Sequence, residues 1–204
     1  MLGNSFTFYH GMPTLLEAIL GAETDEAVEV VAHTRGGASL AEQYNPETGM
    51  GARTLAALRG ERWDYVVLQE QSIGPVARRE SFLASADRLC ELIRENGAKP
   101  VFYATWAYRD GSQKLAGTGM DHETMFRGLY DSYHEAAAAN GALVADVGAV
   151  FFGVTNGVAG KDSAKDFPCG APDLLEADDY HPSTAGSVLA ASVIARVIAE
   201  DRAG

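Results

Sequence analysis

The chain has 204 residues, of which 47% are apolar and 22% charged, a balance that is ordinary for a globular protein. This length fits one domain, so we expect residues 1–204 to form a single domain. Sixteen basic and 28 acidic residues give a formal net charge of −12, which disfavours nucleic acid and anionic membranes as partners, because both require clustered lysine or arginine.

The sequence shows no targeting or membrane signal. No apolar run approaches the ~20 residues of a transmembrane helix, and no basic segment followed by a hydrophobic stretch opens the chain. Of the two cysteines, Cys90 falls on the apolar face of a predicted helix and Cys169 falls in a predicted loop. Since no C-x-x-C pair occurs, a reduced compartment is indicated and a catalytic cysteine is disfavoured. We therefore expect a cytoplasmic protein.

Strand-like and helix-like patterns alternate along the chain. In chain order they predict a helix at 14–20, a strand at 28–32, a strand at 64–69, a helix through 82–93 that ends at Gly97, a strand at 99–105, a helix through 125–133 that ends at Asn140-Gly141, a strand at 142–146 and a helix at 183–200. Residues 156–177 are irregular and predict a surface loop.

The predicted strands are short apolar runs without a clean polar alternation, which is typical of a parallel sheet covered on both faces. Strands that alternate with amphipathic helices indicate a three-layer α/β/α domain. Neither a phosphate loop nor a dinucleotide-binding glycine motif occurs. The histidines lack the local spacings of a metal site, so a metal site built on local spacing is disfavoured.

Asp178 and His181 are three residues apart in Asp178-Asp179-Tyr180-His181-Pro182. A tight turn at this spacing can place a carboxylate against one ring nitrogen, which leaves the other nitrogen free to take a proton from a hydroxyl. We expect Asp178 to orient the ring and Asp179 to face solvent. An ordinary helix-entry loop with a dipole-directed Asp and Pro182 at the helix start is the structural alternative.

Ser5, in the turn Gly3-Asn4-Ser5, is the natural hydroxyl, since a helical pattern follows it and a helix N-terminus offers free N–H donors. A serine on a strand-to-helix turn requires a preceding strand, and only Met1 and Leu2 precede Gly3. We therefore expect either that the start of the gene is placed too late or that the first strand is truncated in this chain. The alternative is that Ser5 only caps a helix.

Further polar groups follow the predicted strands. Gly36 and Gly37 follow one strand and present backbone N–H groups, while Gln69 and Gln71 end the next strand and carry side-chain amides. Ligands of open α/β sheets bind at the carboxyl ends of the strands, so these groups are candidate donors to an oxyanion. Trp106 and Tyr108, past the strand at 99–105, are candidates for the wall of a substrate pocket.

These segments together resemble the SGNH hydrolases, also called GDSL-like esterases and lipases. Gly3-Asn4-Ser5-Phe6-Thr7 is similar to the nucleophile block, Arg35-Gly36-Gly37-Ala38-Ser39 to the glycine block, and Asp178-Asp179-Tyr180-His181-Pro182 to the final block. The resemblance implies that Ser5 is the nucleophile, His181 the base and Asp178 its orienter, with Gly37 in the oxyanion hole. It also implies a flavodoxin-like sheet of about five parallel strands and no cofactor.

One block departs from the family pattern. Members usually carry Gly-x-Asn-Asp after the middle strand, whereas this chain has Gln69-Glu70-Gln71-Ser72. We expect Gln69, or in its place Gln71, to replace the family asparagine. The predicted function is a serine esterase that acts on small acyl esters such as O-acetylated carbohydrate. The alternative is a non-catalytic protein that binds a small molecule or carbohydrate on the same scaffold.

Overall fold

The computed structural model describes residues 1–24, 27–157 and 173–204. Five strands form one sheet in which every pairing is parallel, in the order β2-β1-β3-β4-β5. The strands are β1 (Leu2–Gly3), β2 (His33–Thr34), β3 (Tyr65–Leu68), β4 (Lys99–Tyr103) and β5 (Leu143–Ala145). The predicted α/β class and five-stranded parallel sheet are confirmed.

Both faces of the sheet are buried, which explains why the strands lack a polar alternation. In β3, Val66 and Leu68 belong to one apolar cluster and Val67 to the other. Helices pack against each cluster, and this gives the predicted three layers. The helices are α1 (Ser5–Phe8), α2 (Met12–Thr24), α3 (Leu40–Tyr44), α4 (Gly49–Gly60), α5 (Gly74–Ala77), α6 (Arg79–Asn96), α7 (Gln113–Ala116), α8 (His122–Asn140), α9 (Val147–Thr155) and α10 (Thr184–Ala203).

The first strand has only two residues, as predicted, and lies between β2 and β3 near the middle of the sheet. The strand predicted at 28–32 is wrong in position, because β2 comprises His33–Thr34. A β-strand needs a neighbouring strand to pair with, and the pairing between β1 and β2 begins at Leu2, which pairs with His33. Val31 O still accepts a hydrogen bond from the Met1 amino group at 2.6 Å, but residues 28–32 pair with no described strand.

The long helices begin and end where the sequence signals stand. Gly97 and Gly141 follow α6 and α8 in the left-handed conformation, at φ 90° and 57°, which glycine adopts without steric strain. Ser183 caps α10 by accepting a hydrogen bond from Gly186 N. Cys90 is buried, as expected. No described helix is long and apolar enough to cross a membrane.

The predicted surface loop at 156–177 is only partly described, since residues 158–172, including Cys169, lie outside the described residues. After it, Leu175 makes an isolated antiparallel bridge with Pro182. This bridge brackets the turn that carries Asp178 and His181. The turn is therefore anchored immediately before α10.

Candidate active site

Ser5 is the first residue of α1 and follows β1 after a single residue, Asn4. The Asn4 side chain caps the helix by accepting a hydrogen bond from Phe6 N at 3.1 Å. The Ser5 N–H is at the first helical position, where no intrahelical acceptor exists. The local fold thus places both the hydroxyl and the backbone N–H of Ser5 at the carboxyl end of the sheet.

Ser5, His181 and Asp178 form a continuous hydrogen-bonded chain across 176 residues of sequence. The Ser5 hydroxyl lies 2.8 Å from His181 Nε2, and His181 Nδ1 lies 2.6 Å from Asp178 Oδ2. With the ring proton on Nδ1, Nε2 accepts from Ser5. This is the geometry in which a histidine can remove the serine proton.

Aromatic rings hold the imidazole in this orientation. Tyr9 stacks on His181 with a centroid distance of 4.3 Å and an interplanar angle of 4°, and Phe6 meets the ring edge-on at 5.8 Å. His181 is only 8% exposed. Because packing restricts the ring on two sides, its nitrogen atoms stay directed at Ser5 and Asp178.

The Asp178 carboxylate is fixed by three hydrogen bonds. Its burial opposes ionisation, but hydrogen bonds from the His181 ring and from the His181 and Tyr180 N–H groups outweigh this effect and lower the pKa of Asp178. The carboxylate therefore stays charged near neutral pH and can stabilise a positive charge on His181.

The sequence predicted that Asp179 faces solvent, but the structure gives its side chain a partner. Its carboxylate forms an ion pair with Arg109 at 2.8 Å, and its backbone adopts a left-handed φ of 73°. Arg109 also contacts Asp173 at 3.0 Å. Asp179 is thus paired with Arg109, and of the two neighbouring carboxylates only that of Asp178 contacts the His181 ring.

A cavity of about 150 Å³ opens at Ser5 and His181. Its described lining residues are Asn4, Ser5, Phe6, Gly37, Gln71, Ser72, Tyr108, Lys114, Tyr180 and His181. Among the described residues, no group of three His, Cys, Asp or Glu side chains is placed to hold a metal ion. The site is thus a small polar and aromatic pocket centred on a serine.

Gly37 lies in this cavity wall at a position that favours glycine, with φ of 69°. The turn is closed by a hydrogen bond from Ala38 N to Arg35 O at 3.0 Å. That bond does not use the Gly37 N–H. The arrangement suits the predicted role of Gly37 as a backbone donor.

Gln69 does not reach the cavity, contrary to the sequence-based preference. The side chain is fully buried, and its Oε1 accepts hydrogen bonds from Asn4 N and Thr7 Oγ1, both at 2.9 Å. Its Nε2 donates to the backbone oxygen of Glu70. Gln69 therefore supports the turn beneath Ser5, because its side chain is buried outside the wall of the cavity.

Gln71, the reserve candidate, lines the cavity instead. Its Nε2 donates to Ser72 Oγ at 2.8 Å, and its Oε1 accepts from Arg78 at 2.8 Å. A primary amide carries two N–H groups. One of them remains for a ligand while the other contacts Ser72.

Of the two aromatic residues predicted to line the pocket, only Tyr108 does so at Ser5. Tyr108 lines the cavity, and its hydroxyl lies 2.9 Å from Ser72 Oγ. Trp106 does not line this cavity, because it is stacked between Phe6 at 4.7 Å and Phe151 at 4.2 Å and is 1% exposed. It borders a separate cavity beside Arg109 and His122. Its contribution is structural, since its Nε1 also donates to Tyr180 O at 3.0 Å.

Sequence reasoning missed the buried supports of the site. Asn4 Nδ2 donates to Ala38 O at 2.9 Å and so joins the nucleophile turn to the glycine turn. The Glu70 carboxylate accepts from Leu40 N at 3.0 Å and Gln71 N at 2.7 Å, and its burial raises its pKa. A carboxylate two residues after the apolar strand Tyr65–Leu68 was the available signal for Glu70.

Gly3 is required at its position by close packing. A Cβ there would overlap Thr7 Oγ1 and lie 2.7 Å from Gln69 Oε1. We expect Gly3→Ala to lower the free energy of unfolding by about 3 kcal/mol and Tm by about 6–12 °C. Gly36→Ala is the matched control, because nothing lies within 4 Å of its added Cβ. Equal Tm values for the two variants would contradict this packing argument.

Comparisons with known proteins agree with this architecture. No family model and no curated protein matches the sequence. Among solved structures, a protein from Slackia heliotrinireducens assigned to the SGNH hydrolases is 43% identical, with a TM-score of 0.82 over 97% of this chain and 96% of that one.

More distant structures share the fold. Axe2, an acetylxylan esterase from Geobacillus stearothermophilus, is 15% identical, with a TM-score of 0.67 over 97% of this chain and 91% of that one. A protein from Desulfitobacterium hafniense assigned to the G-D-S-L lipolytic family is 19% identical, with a TM-score of 0.60 over 96% of each chain. At these identities the likeness supports the fold alone.

Proposed function

Because the chain belongs to the SGNH hydrolase family, we propose that it is a serine esterase that cleaves small acyl esters through an acyl-enzyme. The observation that carries this proposal is the hydrogen-bonded chain from Ser5 Oγ through His181 to Asp178, at 2.8 and 2.6 Å. A serine is a weak nucleophile unless an adjacent base takes its proton, and this chain supplies the base and its orienting group.

In the first half of the reaction, Ser5 Oγ attacks the ester carbonyl and its proton passes to His181 Nε2. The imidazolium is stabilised by the Asp178 carboxylate. The tetrahedral intermediate then collapses, the carbon–oxygen bond of the ester breaks, and His181 returns the proton to the leaving alcohol. The acyl group remains on Ser5.

In the second half, water replaces the alcohol. His181 removes a proton from this water, which attacks the acyl carbon, and the Ser5–acyl bond breaks as His181 protonates Ser5 Oγ. The products are the carboxylic acid and the regenerated enzyme. No redox change or cofactor is needed to balance either half-reaction.

The oxyanion of each tetrahedral intermediate needs preorganised donors. We assign this role to the backbone N–H groups of Ser5 and Gly37 and to the free N–H of the Gln71 amide. All three residues line the same cavity. We leave Gln69 out of this set because its side chain is fully buried and does not line the cavity.

The substrate class that we propose is a short acyl ester, such as an acetyl group on a carbohydrate. A cavity of about 150 Å³, lined in part by Tyr108 and Tyr180, accommodates a small acyl group. The name of the similar Axe2 structure, an acetylxylan esterase, points in the same direction.

Pre-steady-state hydrolysis of p-nitrophenyl acetate tests the acyl-enzyme. We expect a burst of p-nitrophenolate equal to the enzyme concentration, or single-phase turnover if deacylation is the faster step, in which case hydroxylamine traps the acetyl group. A non-catalytic carbohydrate-binding protein on the same scaffold predicts no turnover above that of a Ser5→Ala variant. That outcome would contradict the esterase proposal and favour the binding protein.

A further inference from the structure

A lysine side chain lies at the mouth of the Ser5 cavity. Lys114 belongs to the short helix α7, which is anchored by its buried residue Leu115 at 4% exposure. Ser112 caps this helix by accepting a hydrogen bond from Leu115 N at 3.1 Å. The capped and anchored turn presents the ammonium group of Lys114 to the cavity wall.

The ammonium is positioned by aromatic faces. Lys114 Nζ lies 4.2 Å from the centroid of the Tyr180 ring and 5.8 Å from that of Tyr108, within the range of a cation–π contact. Within the described ranges, no carboxylate forms an ion pair with it. The charge is therefore held in place while its hydrogen-bond donors stay available.

The charge at this mouth is opposite to that of the molecule. The chain carries a net charge of −12, yet Lys114 is the one lining residue with a permanent charge among those the structure describes. A second cation, Arg78, contacts Gln71 at 2.8 Å, and Gln71 continues through Ser72 to Tyr108. A continuous series of polar contacts along the cavity wall thus connects Arg78 to Tyr108, whose ring faces Lys114.

We propose that Lys114 forms an anion-binding subsite and that the ester substrate carries a carboxylate on its alcohol half. This inference rests on the proposed esterase function. The acyl group sits at Ser5 and Gly37, so the alcohol half extends to the mouth, where Lys114 is exposed. A single ammonium carries one positive charge and three N–H donors, which match the single negative charge of a carboxylate.

Two isosteric aryl acetates test the subsite, 3-acetoxybenzoate and its neutral analogue 3-acetoxybenzamide. The meta position keeps the carboxylate away from the scissile ester. We expect wild type to prefer the anionic ester in kcat/KM, and Lys114→Met to reduce the ratio of the two values by about tenfold. Lys114→Arg should retain most of the preference, and 0.5 M salt should weaken it.

Lys99→Met is the matched control, because it removes the same charge at the start of β4, at the opposite end of the strand from the site. Its ratio should equal that of wild type. A loss of preference in both variants would assign the effect to net charge and overturn the subsite. An unchanged ratio in Lys114→Met would also overturn the subsite, and Lys114 would then only pack against the Tyr180 ring.

The two proposals fail differently. If the neutral ester is cleaved in a Ser5-dependent manner but wild type does not prefer the anionic ester, only the subsite is contradicted. If neither ester is cleaved above the Ser5→Ala rate, the esterase function fails, and the subsite fails with it.

Discussion

Replacing Ser5 by alanine is expected to lower kcat for p-nitrophenyl acetate by about 10⁴- to 10⁶-fold. The Ser5 hydroxyl is the group within 2.8 Å of His181 Nε2, so its removal leaves the base with no nucleophile to activate. Residual rate from binding and the oxyanion donors would remain. Stopped-flow and steady-state absorbance measure the loss, and an unchanged Tm shows that the fold is retained.

Ser72→Ala is the informative control, because Ser72 is a second hydroxyl in the same cavity. Its Oγ contacts Tyr108 and Gln71 at 2.9 and 2.8 Å. We expect at most a tenfold loss for this variant, since it removes a wall contact. A larger loss for Ser72→Ala than for Ser5→Ala would move the nucleophile to Ser72 and contradict the site as described.

Asp178→Asn is expected to lower kcat/KM by about 10³- to 10⁴-fold with little change in Tm. The asparagine oxygen can keep the hydrogen bonds from the His181 and Tyr180 N–H groups. Its NH₂ group then faces His181 Nδ1 and forces the ring proton onto Nε2. A protonated Nε2 cannot accept the proton of Ser5, so the base is lost while the geometry stays.

Asp179→Asn is the matched control for this tautomer argument. It changes the neighbouring carboxylate, which contacts Arg109 at 2.8 Å, and asparagine tolerates the left-handed backbone at this position. We expect kcat/KM to change by less than about threefold, as for other exposed ion pairs. If Asp179→Asn is the more damaging of the two variants, Asp178 is not the orienting residue.

The fold could be predicted because its signals are local. Strand and helix patterns and the helix-ending glycines depend on neighbouring residues in sequence, and they placed β3, β4, β5, α6, α8 and α10 correctly. The predicted position of β2 was wrong because the bounds of this strand depend on its pairing with β1, which is far away in sequence. No local pattern at 28–34 reports where that partner begins.

The candidate site divides in the same way. The three residues of the Ser5–His181–Asp178 chain sit in short blocks whose spacing restricts their geometry, and the structure brings all three together. The roles of Gln69 and Trp106 depended on which way a side chain points at the end of a strand. Both side chains point into the interior: Gln69 accepts a hydrogen bond from the turn below Ser5, and Trp106 packs in the core.

Covalent labelling tests the central claim, that His181 activates Ser5, most directly. Wild type, Ser5→Ala and His181→Ala are treated with a fluorophosphonate ester, digested and analysed by mass spectrometry. We predict one phosphonyl group per chain on the peptide that contains Ser5, no adduct in Ser5→Ala, and labelling at least about 10³-fold slower in His181→Ala. An adduct on another residue, or labelling of wild type no faster than of His181→Ala, would contradict the account.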